Sequence, residues 1–294
     1  NLKFVQYGAV SYMQQLGHKY GLAIEETFFE KGIDVMAQLK AGKIDIGAGA
    51  TDAAIAAYAN GTPLYIVAGV GRGGATLLAR KAAHVSKTED LKGKKVAVLA
   101  GAAQELLLYA ELVQHKMTWS VNPGQDVVVV RTKAAAEANK LLEEGSIDAV
   151  LESDPYASQA LDTGNAVEVT KPYDTPLGEP VRALVMSKAM YERPELALRV
   201  LRCFVEATRY FIAKPDVAEK YIRDHVFAGK LAHNDYLASI TNGPLTTDIT
   251  LAYVQNTAYY MVKYGAGTLP IHPVATDFVR LDQLEAAKRA GNAK

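Results

Sequence analysis

Asp126-Val127-Val128-Val129-Val130-Arg131, residues 126–131, carries the reading of the fold. Four consecutive β-branched residues make a strand that is apolar on both sides, as strands are when helices cover both faces of a parallel sheet. Upstream, Lys95–Leu99 reads as another such strand, and Gly101 leads from it into a helix over Gln104–His115. Strand, crossover helix and strand together make a βαβ unit. The alternation continues downstream. Lys133–Glu144 reads as a helix ended by Gly145, Ile147–Leu151 as a strand, and Pro155 opens the next helix, where its missing N–H costs nothing. Val167–Thr170 and Arg182–Ser187 read as further strands.

The same grammar governs the first part of the chain. Leu2–Tyr7 reads as a strand, Tyr12–Tyr20 as a helix closed by Gly21, and Ala23–Glu30 as a second strand. A short helix over Val35–Lys40 precedes the buried strand Ile44–Gly49; Thr51-Asp52 then caps a helix that Asn60-Gly61 ends. Leu64–Val70 and Ala75–Lys81 follow as strands. From Arg193 onward the pattern is helical, over Pro194–Ala213, Pro215–His225, Asn234–Ile240, Asp248–Lys263 and Asp277–Ala290. The expectation is an α/β protein of two lobes, with mainly parallel sheets and a helical C-terminal part. Residues 1–87 begin the first lobe, 88–181 form an inserted second lobe, and 182–294 complete the first. The crossovers are expected near His84–Lys92 and Pro180–Lys188.

Composition excludes several functions. Lys+Arg and Asp+Glu number 32 each, so the chain lacks the net positive field of a nucleic-acid binder. No apolar run approaches the roughly 20 residues that a membrane-spanning helix needs. The single cysteine, Cys203, rules out an internal disulfide and reads as a small buried apolar residue. His18, His84, His115, His225, His233 and His272 show no metal-ligand spacing, and no Gly-x-Ser-x-Gly elbow occurs. Neither a cofactor nor a metal is expected, and the chain is not expected to be an enzyme.

Several blocks resemble type II periplasmic binding proteins, and within them the nitrate/sulfonate/taurine family that also holds binders of thiamine-precursor pyrimidines. These are Leu39-Lys40-Ala41-Gly42-Lys43-Ile44-Asp45-Ile46-Gly47, then Asn60-Gly61-Thr62-Pro63, then Leu91-Lys92-Gly93-Lys94-Lys95-Val96-Ala97-Val98. Glu144-Gly145-Ser146-Ile147-Asp148-Ala149 follows, leading to Asp154-Pro155-Tyr156. Together they cover about residues 1–190 in order. The resemblance implies the solute-binding component of an ABC importer: a periplasmic or extracytoplasmic monomer whose leader peptide has been removed, which clamps a small molecule and delivers it to a membrane permease. This sequence departs from the family at Ser153-Asp154-Pro155-Tyr156, where Trp-Glu-Pro-Phe is frequent and supplies a stacking platform. Two alternatives share the fold. A relative of the thiamine-pyrimidine synthases would carry a Cys-rich motif, and the ligand-sensing half of a transcriptional regulator would carry a helix-turn-helix.

Ligands in open α/β sheets sit beyond the carboxyl ends of the strands. The candidate ligand residues there are Tyr7 and Gly8, Thr51 and Asp52, Arg72, the turn Gly101, Ala102 and Gln104, and the pair Glu152 and Asp154. Helix N-termini at the small-residue turns favour an acidic group on the ligand. Arg72, between glycines, is placed to grip a carboxylate or sulfonate with two parallel bonds. Glu152 and Asp154 are two apart and share a side if the strand Ile147–Leu151 runs on that far, which favours a ligand that also carries an N–H or O–H donor. For each residue the structural alternative stands beside the functional one: Thr51, Asp52 and Asp154 as helix caps, Gly101 as a turn, Arg72 as a solvated charge.

Overall fold

A computed structural model of the chain describes residues 1–100, 103–267 and 269–292. Nine strands among them fall into two sheets. They are β1 (Ile46–Ala50), β2 (Leu64–Arg72), β3 (Ala75–Arg80), β4 (Lys94–Leu99), β5 (Trp119–Ser120), β6 (Val127–Thr132), β7 (Ala149–Ser153), β8 (Ala166–Thr170) and β9 (Val181–Ser187). One sheet has the order β1-β9-β2 and the other β5-β6-β4-β7-β3-β8. In each sheet a single strand opposes the rest. β9 runs antiparallel to both neighbours in the first, and β3 to both of its own in the second, where β5, β6, β4 and β7 pair in parallel.

The valine run is the centre of the second sheet's packing. Val127 and Val129 are buried in the main core and Val130 packs on a smaller one. Adjacent strands divide the same way: Leu77, Val96, Val98 and Leu151 enter one core, and Leu78, Ala97 and Val150 the other. The period of two along each strand thus sorts side chains to the two faces. The helix Pro194–Ala213 has the bounds its sequence pattern predicts, with proline in its first turn and a buried stripe at Val200, Leu201, Phe204, Ala207 and Phe211. Cys203 lies in that stripe, fully buried, and burial pushes its thiol up to about 12.

The N-terminal strands are corrected. Val5–Tyr7 is a turn of 3-10 helix leading straight into the helix Gly8–Leu16. Residues 23–30 form no strand beyond an isolated parallel bridge between Leu2 and Phe29. Alternating apolar residues need a paired neighbour to become a ladder, and among the described residues no backbone bond joins this segment to the free edge of β1. A cavity of about 510 Å³ lies between the two.

The first crossover is corrected as well. β3, expected in the first lobe, pairs with β7 and β8, so the chain changes sheets between Arg72 and Ala75 rather than near His84–Lys92. Two glycines between strands are the signature of a tight hairpin, yet β2 and β3 do not pair. Gly73 N–H instead donates to Pro180 O at 2.8 Å, and Gly74 N–H to Asn242 O at 2.7 Å. Backbone from the return crossover and from the helix His233–Asn242 takes the hydrogen bonds that a partner strand would have made. Both glycines have positive φ, and a Cβ on Gly73 would lie 2.7 Å from Asn242 O. Gly73→Ala is therefore expected to destabilise by about 1–2 kcal/mol from backbone strain alone. Urea unfolding measures it, and a loss below about 0.5 kcal/mol would show that the crossover can shift freely.

Candidate ligand site between the two sheets

Arg182 sits near the start of β9, at the centre of the first sheet, and is only 8% exposed. Its Nη1 donates to Gly73 O at 2.7 Å, and its Nη2 reaches Ser153 Oγ of the second sheet at 3.4 Å. Ser153 Oγ also accepts from Gln104 Nε2 at 2.7 Å. A buried guanidinium thus spends its donors on a carbonyl and a hydroxyl rather than on a carboxylate. Around it lies a cavity of about 40 Å³ lined by Tyr7, Ala50, Ala75, Gln104, Ser153 and Arg182 among others. Ala50 precedes the helix Thr51–Ala59, and Gln104 lies in the first turn of the helix Ala103–Gln114. Two positive helix ends and one guanidinium converge on one small space, an arrangement suited to an anion.

The sequence-chosen residues divide. Tyr7 and Gln104 line the cavity, and the Tyr7 hydroxyl neighbours Arg182. Burial pushes that phenol up to about 12, with Arg182 opposing the shift and Asp52 adding to it. Gly8 does not face the cavity: a Cβ there would strike the Ile222 side chain at 2.4 Å, so it is a packing residue of the first helix. Arg72 is a solvated charge, 58% exposed in its side chain and 3.8 Å from Glu179. Gly101 and Ala102 lie outside the described residues.

Thr51 is not a cap; its hydroxyl donates to Val181 O at 2.5 Å and ties the helix start to β9. Beside it Asp52 is buried, with Oδ1 unpartnered among the described residues. Burial raises its carboxyl from 3.8 to about 7, against the backbone N–H groups of Ala53 and Asp52 and with Glu105 adding to the rise. A space of about 20 Å³ lined by Thr51, Asp52, Ala103 and Pro180 adjoins the Arg182 cavity, which shares the last two residues.

Glu152 and Asp154 behave differently from expectation. Ser153 points into the cavity, and on an alternating strand the residues on either side of it turn away. Asp154 Oδ1 accepts from Ser158 N–H at 3.1 Å, as a helix cap does, and Oδ2 accepts from Asn242 Nδ2 at 2.9 Å. Its carboxyl is raised by burial, with the Asn242 and Ser158 bonds opposing. Glu152 is wholly buried; Oε1 accepts from Ser153 N–H, Oε2 is unpartnered, and burial pushes the carboxyl up to about 8. Neither residue of the pair lines the cavity, and each oxygen of Asp154 already accepts a bond from the protein. Arg182 was not singled out from the sequence because it opens an apolar strand run. A lone arginine in Val181-Arg182-Ala183-Leu184-Val185-Met186 was the available signal.

Solved structures share this architecture. The alkanesulfonate-binding protein SsuA of Xanthomonas axonopodis pv. citri, bound to MOPS, aligns with a TM-score of 0.79 at 17% identity, covering 95% of this chain and 96% of that one. The periplasmic aliphatic sulphonate binding protein SsuA of Escherichia coli gives 0.80 at 21%, covering 95% and 90%. The periplasmic nitrate-binding protein NrtA of Synechocystis PCC 6803 gives 0.77 at 15%, covering 100% and 88%. The fold is that of the periplasmic solute-binding proteins of ABC importers. The sequence matches no curated protein. The model of the NMT1-like family matches residues 3–223, three quarters of the chain, and the chain belongs to that family.

Proposed function

We propose that this protein is the extracytoplasmic solute-binding component of an ABC importer, and that it holds the sulfonate or carboxylate end of a small organic molecule at Arg182. The observation that carries the reading is the buried guanidinium between the two sheets, its donors on neutral acceptors and two helix N-termini directed at the same cavity. Capture follows from hinge closure about Gly73-Gly74 and the return segment before β9. Residues from both sheets line the cavity, so a ligand gains its full set of contacts only when the sheets approach. The partners are then the ligand and a membrane permease. The lone thiol supports a non-catalytic role, since Cys203 is sealed inside a helix stripe with its pKa raised.

The test is a thermal-shift screen of organic sulfonates and carboxylates followed by small-angle scattering. A ligand at 100 times its dissociation constant adds about 2.7 kcal/mol of stability. The expected result is a raised melting temperature with at least one such anion, together with a smaller radius of gyration; an unchanged radius would count against hinge closure. A screen in which no organic anion shifts melting would sink the reading.

A further inference from the structure

On the far side of Asp52 from Arg182 a second opening, about 290 Å³, runs between helices. Its walls are apolar: Ile33, Met36, Ala53, Ala56, Leu106 and Met261. Ile33 is 57% exposed at its mouth, and Lys40 at the rim is turned away to donate to Asn60 O at 2.9 Å. Glu105 also lines the groove, but Arg131 at 2.6 Å and the Tyr109 hydroxyl at 2.7 Å engage it. Asp52 is different. It borders both this groove and the small space that adjoins the Arg182 cavity, and its Oδ1 has no protein donor among the described residues. A buried carboxylate oxygen without a donor is costly, whereas one that meets a ligand cation is not.

We propose that Asp52 and the groove form a second subsite for a protonated nitrogen bearing an apolar substituent, so that the cargo is an organic ion with its anionic end at Arg182 and its substituted ammonium at Asp52. The inference rests on the anion site proposed above and adds the other half of the ligand. Three features agree on it. The cavity at Arg182, about 40 Å³, holds a head group and little more, and the small space that adjoins it is bordered by Asp52. The groove beyond is walled for a hydrocarbon or ring. The negative field of Glu105 beside Asp52 selects a cation there over a second anion.

Two probes separate the halves: N-cyclohexyl-aminoethanesulfonate, and cyclohexylpropanesulfonate, its isostere with methylene in place of nitrogen. Calorimetry on the wild-type chain is expected to show the amine bound about tenfold to a hundredfold more tightly, the worth of one charge-assisted bond. Asp52→Asn should erase that preference while leaving the isostere within about twofold. Arg182→Met should weaken both probes. Ala56→Phe, which fills the groove and leaves Asp52 in place, should weaken both ring-bearing probes and spare aminoethanesulfonate. Equal wild-type affinities, or a preference that survives Asp52→Asn, overturn the inference while the anion site stands; Oδ1 then meets only water. If neither probe binds the wild type, the anion site falls and the subsite with it.

Discussion

Arg182→Met lowers affinity for an organic sulfonate by about 2–5 kcal/mol, the cost of deleting one side of a buried charge-assisted pair. The effect is large because Arg182 is the buried cation of the cavity, whereas Lys31, which also lines it, is only partly buried and lies next to Glu30. Gln104 and Tyr7 line the same cavity but bring no charge, and the helix ends supply only fractional charge that the first turn confines. Arg72→Ala is the matched control. Its guanidinium is exposed and faces Glu179, so affinity is expected to change by less than about 0.5 kcal/mol. Melting curves of both variants are needed, since Arg182 also holds Gly73 O and its loss loosens the crossover. An Arg182→Met protein that stays folded and binds sulfonate as the wild type does would remove the anion site from this position.

Glu152→Gln makes the protein more stable at pH 8 by on the order of a few kcal/mol while changing it little at pH 5. The ordinary glutamate value is 4.5, and burial raises Glu152 in the folded chain to about 8. Below 4.5 the carboxyl is protonated in both states and folding is indifferent to pH. Between 4.5 and about 8 the unfolded chain releases the proton and the folded chain keeps it, so stability falls as pH rises. Above about 8 both states are ionised and the loss levels off. Glutamine cannot ionise and removes this slope, while keeping an oxygen for Ser153 N–H. Asp52, raised to about 7, adds a similar fall that persists in the variant. Urea denaturation of both proteins at the two pH values decides it; parallel curves would mean that Glu152 is ionised throughout.

How much of this was legible in the sequence depends on how local the cause is. The helix Pro194–Ala213 has proline at its start and an apolar stripe along its length, both written in its own residues, and its bounds are as read. The strands β4, β6 and β7 were equally legible, because an apolar run such as the four valines has few places to go but a covered strand, whereas β3 was read in the other lobe and β5 was not read at all. What failed was partnership. Residues 23–30 carry strand-like residues yet no ladder forms, and β3 was read in the first lobe although its partners β7 and β8 lie far along the chain. The site divides by the same rule. Gln104 was found from its place in a helix start. Arg182 was not, because what distinguishes it is a cavity assembled from residues as distant as Tyr7 and Ser153. Glu152 and Asp154 were grouped on one side of a strand that in fact ends at Ser153, and it is that serine which lines the cavity.

A guanidinium has five N–H donors, and two of those on Arg182 are committed to Gly73 O and Ser153 Oγ. The bond to Gly73 O is short and that to Ser153 Oγ is long, 2.7 against 3.4 Å, so the serine is the partner an incoming oxygen displaces most easily. On the proposed function Ser153 acts as a surrogate cargo, since its hydroxyl joins the two sheets through Arg182 by the contact that a bound anion would otherwise mediate. Molecules in that bridged state cannot load, and the apparent dissociation constant equals the intrinsic one divided by the fraction free to accept. On the proposed function, the hydroxyl where relatives often carry tryptophan raises the solute concentration needed for half-loading and leaves the shape of the binding curve unchanged.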